Sequence, residues 1–126
     1  MAKEVVNTST EGYSSTSEVR DFTVEIDATG EETPDTVEML LADYAACYVP
    51  ALRVGGNQRG VDDLGTIETT VTGEVDEDGK LTEIAFDIAV EASLEEGQGQ
   101  EILDRAFELC KVHDALKQSL HADATI

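Results

Sequence analysis

Two segments of the chain combine helical periodicity with a cysteine on the apolar face, and they constrain the fold more than any other feature. The first segment runs from Val37 to Cys47, and the second runs from Ile102 to Cys110. Apolar residues recur at intervals of three and four along both segments, which is the spacing of one helix face. Both helices are therefore predicted to bury a stripe that carries a thiol.

The two thiols have either a chemical role or a structural one. Thiolates attack peroxides and disulfides, so two thiols from distant segments are a candidate redox pair. Free cysteine is also among the most buried residue types, and both thiols would then only fill space in the core. Two cysteines are too few for a disulfide scaffold, and no adjacent residue marks either one as activated. The residues alone leave both interpretations open.

The charge balance excludes two classes of partner. The chain has 28 acidic residues against 8 lysines and arginines, a formal net charge of −20 at pH 7. Phosphate backbones and anionic membrane surfaces would be repelled, so no nucleic-acid or membrane partner is expected. A hydrophobic fraction of 40% and clear periodicities indicate a folded domain. Because salt at ~1 M shortens the Debye length to ~3 Å, the acidity is interpreted as adaptation to a salt-rich cytoplasm.

Alternation of polar and apolar residues predicts the strands. Residues 22–27 have the pattern of a half-buried strand, residues 4–9 and 13–19 that of a hairpin before it, and residues 67–75 and 84–90 that of a second hairpin. Residues 121–126 are expected to close the chain as a short strand.

Helix one is predicted to begin near Pro34, a residue that is tolerated in the first turn of a helix. Pro50 either kinks this helix or ends it, because an interior proline costs about 3 kcal/mol. Residues 53–64 contain several Gly, Asn and Asp and are expected to be irregular. Helix two is predicted from about Gly97 to Val112. The order of elements predicts one α+β domain over residues 1–126, with helices packed on antiparallel sheets.

The two cysteine segments resemble the signatures of a known family. Thr36-Val37-Glu38-Met39-Leu40-Leu41-Ala42-Asp43-Tyr44-Ala45-Ala46-Cys47 is similar to the Pro-x-Glu-Leu-Leu-Leu-Ala-Ala-x-x-x-Cys helix of the OsmC/Ohr proteins, which are named for osmotic induction and organic hydroperoxide resistance. Cys110-Lys111-Val112-His113-Asp114-Ala115-Leu116 is similar to that family's second signature, Cys-Pro-Val-x-x-x-Leu. The intervening elements also match in order, so the resemblance covers about residues 20 to 126.

The resemblance implies an intertwined homodimer in which antiparallel sheets wrap around two long central helices. It also implies a thiol peroxidase that reduces organic hydroperoxides, with Cys47 as the peroxidatic residue and Cys110 as the resolving one. A dithiol reductant, such as a lipoyl group, would then regenerate the enzyme. The alternative is a redox-sensing or small-ligand-binding dimer of the same family without efficient peroxidase activity, and a third possibility is a structural dimer whose cysteines only fill space.

Peroxidases of this family hold the thiolate with an arginine from a loop between early strands, oriented by a glutamate of helix one. The corresponding turn near Gly12 has no arginine, and the nearest candidate is Arg20 at the start of the next strand. Glu38 is the candidate for the orienting carboxylate. Thr36 and Lys111 stand where the family signatures have proline. The site carried over by the resemblance therefore consists of Cys47, Cys110, Arg20 and Glu38, with Arg59 as the alternative arginine.

The remaining expectations concern cofactors, pocket residues and location. No cofactor and no metal site is expected, because His113 and His121 are the only imidazoles near Cys110 in sequence. Tyr44 and Tyr48 are interpreted either as core residues or as the lining of an apolar hydroperoxide pocket. The chain has no apolar run of 18 residues and no apolar signal-peptide region at its start, so a cytoplasmic protein is expected.

Overall fold

A computed structural model describes residues 1–117 and 120–125 of the chain. The chain divides into two compact units, Met1–Leu40 and Leu41–Ile126. Helix α1 (Thr36–Gln58) begins in the first unit and continues through the second. Each unit contains one antiparallel sheet.

The first unit is a three-stranded antiparallel sheet in the order β1-β2-β3. Its strands are β1 (Val6–Thr8), β2 (Ser14–Val19) and β3 (Phe22–Asp27). The hairpin predicted around Gly12 is confirmed, and Gly12 supplies the left-handed backbone (φ 64°) that this turn requires. Arg20 also has a positive φ of 55°, in the tight turn that joins β2 to β3.

The second unit contains a long hairpin of β4 (Ile67–Val75) and β5 (Leu81–Val90). The strands pair antiparallel with Val71 opposite Phe86, so the predicted hairpin is confirmed. The Asp76 carboxylate closes its turn by accepting the backbone N–H groups of Asp78 and Lys80, each at 2.9 Å. One face of the hairpin packs against the helices.

Helix α1 does not end at Pro50 but continues to Gln58. The prediction that Pro50 ends the helix is wrong, and so is the expectation of irregular backbone over residues 53–58. The turn after Pro50 is retained because it is buried: Leu52 is 2% exposed, and Gly55 and Gly56 also lie in the interior. Burial of this face offsets the cost of the interior proline.

The second predicted helix is two helices, α2 (Gln98–Leu109) and α3 (Lys111–Ala115). They meet at Cys110, whose backbone is extended (φ −74°, ψ 113°). The prediction of one continuous helix to Val112 is therefore wrong. Residues 121–125 have no regular structure, contrary to the predicted terminal strand, and Ile126 lies outside the described residues.

The core lies in the second unit, where α1 and α2 pack on the β4–β5 hairpin. Its buried apolar residues are Tyr44, Tyr48, Ala51, Leu52, Leu64, Ile102, Ala106 and Cys110. The architecture is thus α+β with helices packed on antiparallel strands, as predicted. In the part of the chain that the structure describes, no helix is both long enough and apolar enough to cross a bilayer.

Candidate thiol site

The second unit brings the two cysteines together from distant parts of the chain. Cys47 lies in the middle of α1 and is partly buried, whereas Cys110 lies between α2 and α3 and is only 1% exposed. Both are free thiols, and each sulfur is close enough to the other to affect its ionisation. The structure therefore brings these two site residues close together as free thiols.

Cys47 is the thiol of the pair whose pKa is lowered. The backbone N–H of Val112 beside its sulfur is the main influence that holds the pKa of Cys47 below its ordinary value. The Cys110 thiol, the N–H of Lys111 and the positive charge of Lys111 act in the same direction, and partial burial opposes them. Hydrogen bonds and a nearby cation favour the thiolate, which is the nucleophilic form of cysteine.

The pKa of Cys110 is shifted in the opposite direction, above its ordinary value. Burial raises the pKa of its thiol, and the neighbouring Cys47 raises it further, while the N–H of His113 partly compensates. Cys110 therefore remains protonated at a pH where Cys47 begins to ionise. A partly exposed nucleophile beside a buried thiol is the arrangement that thiol–disulfide chemistry needs, because one sulfur attacks first and the other attacks it in turn.

Cys110 also has a structural function at the junction of the two helices. Its backbone N–H donates to the Ala106 carbonyl at 2.9 Å and so ends α2. Its sulfur accepts the N–H of His113 at 3.5 Å and so caps the start of α3. This extended residue redirects the chain so that the backbone N–H groups of Lys111 and Val112 approach Cys47.

A hydrogen bond between Tyr44 and His113 lies beside the thiol pair. The Tyr44 hydroxyl and His113 Nδ1 are 2.5 Å apart, and they join α1 to α3. Burial and the proximity of Cys110 raise the pKa of Tyr44, which favours the protonated hydroxyl. In the tautomer that carries its proton on Nε2, the His113 ring accepts this hydroxyl at Nδ1. The His113 ring also packs on Phe107, with centroids 4.8 Å apart.

An apolar cavity of about 380 Å³ adjoins this hydrogen bond. It is lined by Tyr44, Leu81, Thr82, Glu83, Ile84, Phe86, Phe107, His113 and Leu116. Tyr48 is not part of the lining; it is completely buried, and its hydroxyl donates to the Leu103 carbonyl at 2.9 Å. Tyr48 is thus a core residue only, whereas Tyr44 belongs to the core and also lines the cavity.

The two proposed clamp residues belong to the first unit and have local partners there. The Arg20 guanidinium lies over the Phe22 ring, 5.1 Å from its centroid. Glu38 accepts the backbone N–H of Asp35 at 2.9 Å, and Asp35 accepts that of Glu38 at 2.8 Å. This reciprocal pair stabilises the first turn of α1.

The main cause of the lowered pKa of Cys47 is not visible in the sequence. The family resemblance predicts a cation beside the sulfur, whereas the largest influence in the structure is a backbone N–H, which residue identity does not reveal. The pairing of His113 with Tyr44 spans 69 positions of sequence, so local spacing does not predict it. Among the described residues, no group of three His, Cys, Asp or Glu side chains is placed to hold a metal ion.

Comparison with known proteins identifies the family. The family model described as OsmC-like protein matches residues 28–124. An uncharacterized protein of Haloferax volcanii is 42% identical over 118 residues, which cover 94% of this chain and 89% of that protein.

Solved structures share the fold. The OsmC-like protein of Mycoplasma pneumoniae superposes with a TM-score of 0.79 at 19% identity, covering 94% of this chain and 89% of that one. The organic hydroperoxide resistance protein OhrB of Bacillus subtilis superposes with a TM-score of 0.68 at 21% identity, covering 94% of this chain and 92% of that one. The match to the family model spans most of the sequence, and the shared fold agrees with it. This chain belongs to the OsmC-like protein family.

Proposed function

We propose that this chain is a thiol peroxidase that reduces organic hydroperoxides, with Cys47 as the peroxidatic and Cys110 as the resolving residue. One observation carries the proposal: the pKa values of two thiols that are neighbours in space are shifted in opposite directions. The pKa of Cys47 is lowered, which favours the thiolate, and that of Cys110 is raised, which favours the thiol. The organic hydroperoxide resistance protein of Bacillus subtilis, which shares the fold, supports the choice of substrate class. The organic part of the substrate is proposed to occupy the cavity that Tyr44 and His113 line together with apolar side chains.

The proposed reduction of the hydroperoxide has three steps. The Cys47 thiolate attacks the terminal oxygen of the hydroperoxide, so an S–O bond forms, the O–O bond breaks and the organic fragment leaves as an alcohol after taking a proton. The Cys110 sulfur then attacks the Cys47 sulfur, so an S–S bond forms and the hydroxyl leaves as water with the proton of Cys110. A dithiol reductant, such as a lipoyl group, then reduces the disulfide and is itself oxidised.

Two chains are proposed to associate as a homodimer. The described residues include only eight buried apolar side chains, which is a thin core for a chain of this length, and Leu40 and Val54 are among the large apolar side chains that remain exposed. Association would bury part of this surface. The reaction cycle suits a cytoplasm, where reductants keep thiols available.

Arg20 and Glu38 are proposed as an additional clamp for the Cys47 thiolate. A guanidinium would lower the pKa of the thiol further and polarise the peroxide, and a carboxylate would orient the guanidinium. The backbone N–H groups near Cys47 already favour the thiolate, so the clamp is expected to add to an existing effect.

Thiol titration with cumene hydroperoxide tests the function. The wild-type chain should lose two thiols per chain without intermolecular crosslinks, and the Cys110→Ser variant should accumulate Cys47 as sulfenic acid, which a dimedone label detects by mass spectrometry. Loss of one thiol per chain in the wild type would indicate a sensor. Cys47 that stays reduced under excess peroxide would refute the peroxidatic assignment.

A further inference from the structure

The backbone segment that surrounds the two sulfurs is short. The N–H groups of Lys111 and Val112 approach Cys47, and the N–H of His113 donates to Cys110 Sγ at 3.5 Å. All three donors belong to consecutive residues of α3, which is five residues long. A helix of this length has little stability of its own, so its position depends on contacts with other elements.

A side-chain tether connects this segment to the helix that carries Cys47. His113 Nδ1 is hydrogen-bonded to the Tyr44 hydroxyl, and Tyr44 lies three positions before Cys47 in α1. Residues three apart lie on the same helix face, so the tether is attached beside the sulfur that the N–H groups approach. Packing of the His113 ring on Phe107 fixes its orientation further.

We propose that Tyr44 and His113 are positioning residues for the thiol pair: their hydrogen bond holds residues 111–113 against α1 and thereby keeps the backbone donors at the two sulfurs. Both side chains also line the cavity proposed for the organic part of the substrate, but the positioning role needs no contact with the peroxide. The tether acts through the N–H groups, because a hydrogen bond favours the thiolate only while donor and sulfur stay within bonding distance. This inference concerns the site of the proposed function, and it rests on that function only for its consequence in peroxide reduction.

Three substitutions distinguish the effect of the Tyr44–His113 hydrogen bond from the effect of core packing. Tyr44→Phe removes the hydroxyl and keeps the ring. His113→Leu removes the ring nitrogen that bonds Tyr44, and because His113 is exposed the fold should be retained. His113→Asn keeps an acceptor oxygen in a position similar to that of Nδ1 and should restore the bond in part. The matched control is Tyr48→Phe, which removes another hydroxyl from the same helix, one that donates to Leu103 instead.

The measurement is the pH dependence of iodoacetamide alkylation of Cys47 in the reduced full chain, followed by peptide mass spectrometry. The midpoint should rise by about 0.5 to 1 pH unit in Tyr44→Phe and His113→Leu, which corresponds to a roughly three- to tenfold slower reaction below the midpoint. His113→Asn should lie closer to the wild type. Tyr48→Phe should melt at a lower temperature and keep the wild-type midpoint.

Two results would overturn the inference. An unchanged midpoint in both Tyr44→Phe and His113→Leu would mean that the tether does not control the donors. An equal rise in Tyr48→Phe would mean that general loosening of the core causes the effect. Because alkylation uses no peroxide, a chain that fails to reduce hydroperoxides would still give a clear result here, and the two failures can be told apart.

Discussion

Gly55 of α1 lies directly against the backbone of α2 at Ile102. A Cβ placed on Gly55 would come within 3.3 Å of the Ile102 carbonyl oxygen and 3.5 Å of the Ala106 backbone nitrogen. The missing side chain therefore permits the two helices to approach closely. Since α1 carries Cys47 and α2 leads into Cys110, this approach also contributes to the pairing of the thiols.

Gly55→Val should test the importance of this helix contact. Its branched side chain would be forced against backbone atoms that cannot rotate away, so the variant should lose about 1–3 kcal/mol of unfolding free energy. Ala46→Val, at an exposed position of the same helix, is the control and should lose less than about 0.7 kcal/mol. Urea denaturation of both variants measures the difference, and equal losses would show that the Gly55 contact is not tight.

The opposite pKa shifts predict an order of alkylation. The pKa of Cys47 is lowered, so its reaction rate should rise with pH before that of a free thiol does, whereas Cys110 should respond only at higher pH. At pH 8, iodoacetamide should therefore label Cys47 first. Peptide mapping over time gives the two rates, and the urea-unfolded chain, in which both thiols should react alike, is the control. Faster labelling of Cys110 in the folded chain would contradict the prediction.

The proposed clamp predicts a graded response to two substitutions. Arg20→Ala should raise the pKa of Cys47 and slow its reaction with cumene hydroperoxide, because a cation that favours the thiolate is lost. Glu38→Gln should have a smaller effect, since it removes the charge but keeps an acceptor for the Asp35 N–H. Arg53→Ala, an exposed arginine of α1, is the matched control. An alkylation profile of Cys47 that is identical in Arg20→Ala and wild type would remove Arg20 from the site.

The net charge of −20 predicts a dependence on salt. Repulsion acts across the whole chain in dilute buffer, and molar salt screens it beyond a few ångströms, so the melting temperature and any association should rise from ~0.1 to 3 M potassium chloride. Potassium sulfate should be compared, because its exclusion from the surface strengthens apolar burial as well. Thermal melts and sedimentation supply the measurements. Equal stability at both ends of the range would refute the salt-adapted interpretation.

The elements that the sequence predicts correctly are those with a regular apolar pattern over many residues or with a glycine in the turn. The β4–β5 hairpin follows from alternation on both sides of the turn at Gly79, and the apolar stripe of α2 follows from helical spacing. The helical state of residues 53–58 was missed, because Gly55 has a poor helix propensity that close packing against α2 overrides.

The candidate site likewise has features that the sequence predicts and features that only the fold shows. Helical spacing and the family resemblance identified Cys47 and Cys110, since both are properties of the sequence itself. The backbone N–H of Val112 was not identified, because every residue except proline carries this group and only the fold decides where it points. Local periodicity also contains no information about the Tyr44–His113 contact, which joins distant helices.

The position of Cys110 between two helices determines how its proposed redox function can be separated from its structural one. Its sulfur accepts the His113 N–H at the start of α3, and a serine oxygen can accept the same hydrogen bond. Alanine at this position would remove the acceptor together with the thiol. Serine thus removes the thiol but keeps the cap at the start of α3, whereas alanine removes both. The difference in stability between the two variants would measure how much the cap contributes to holding this site together.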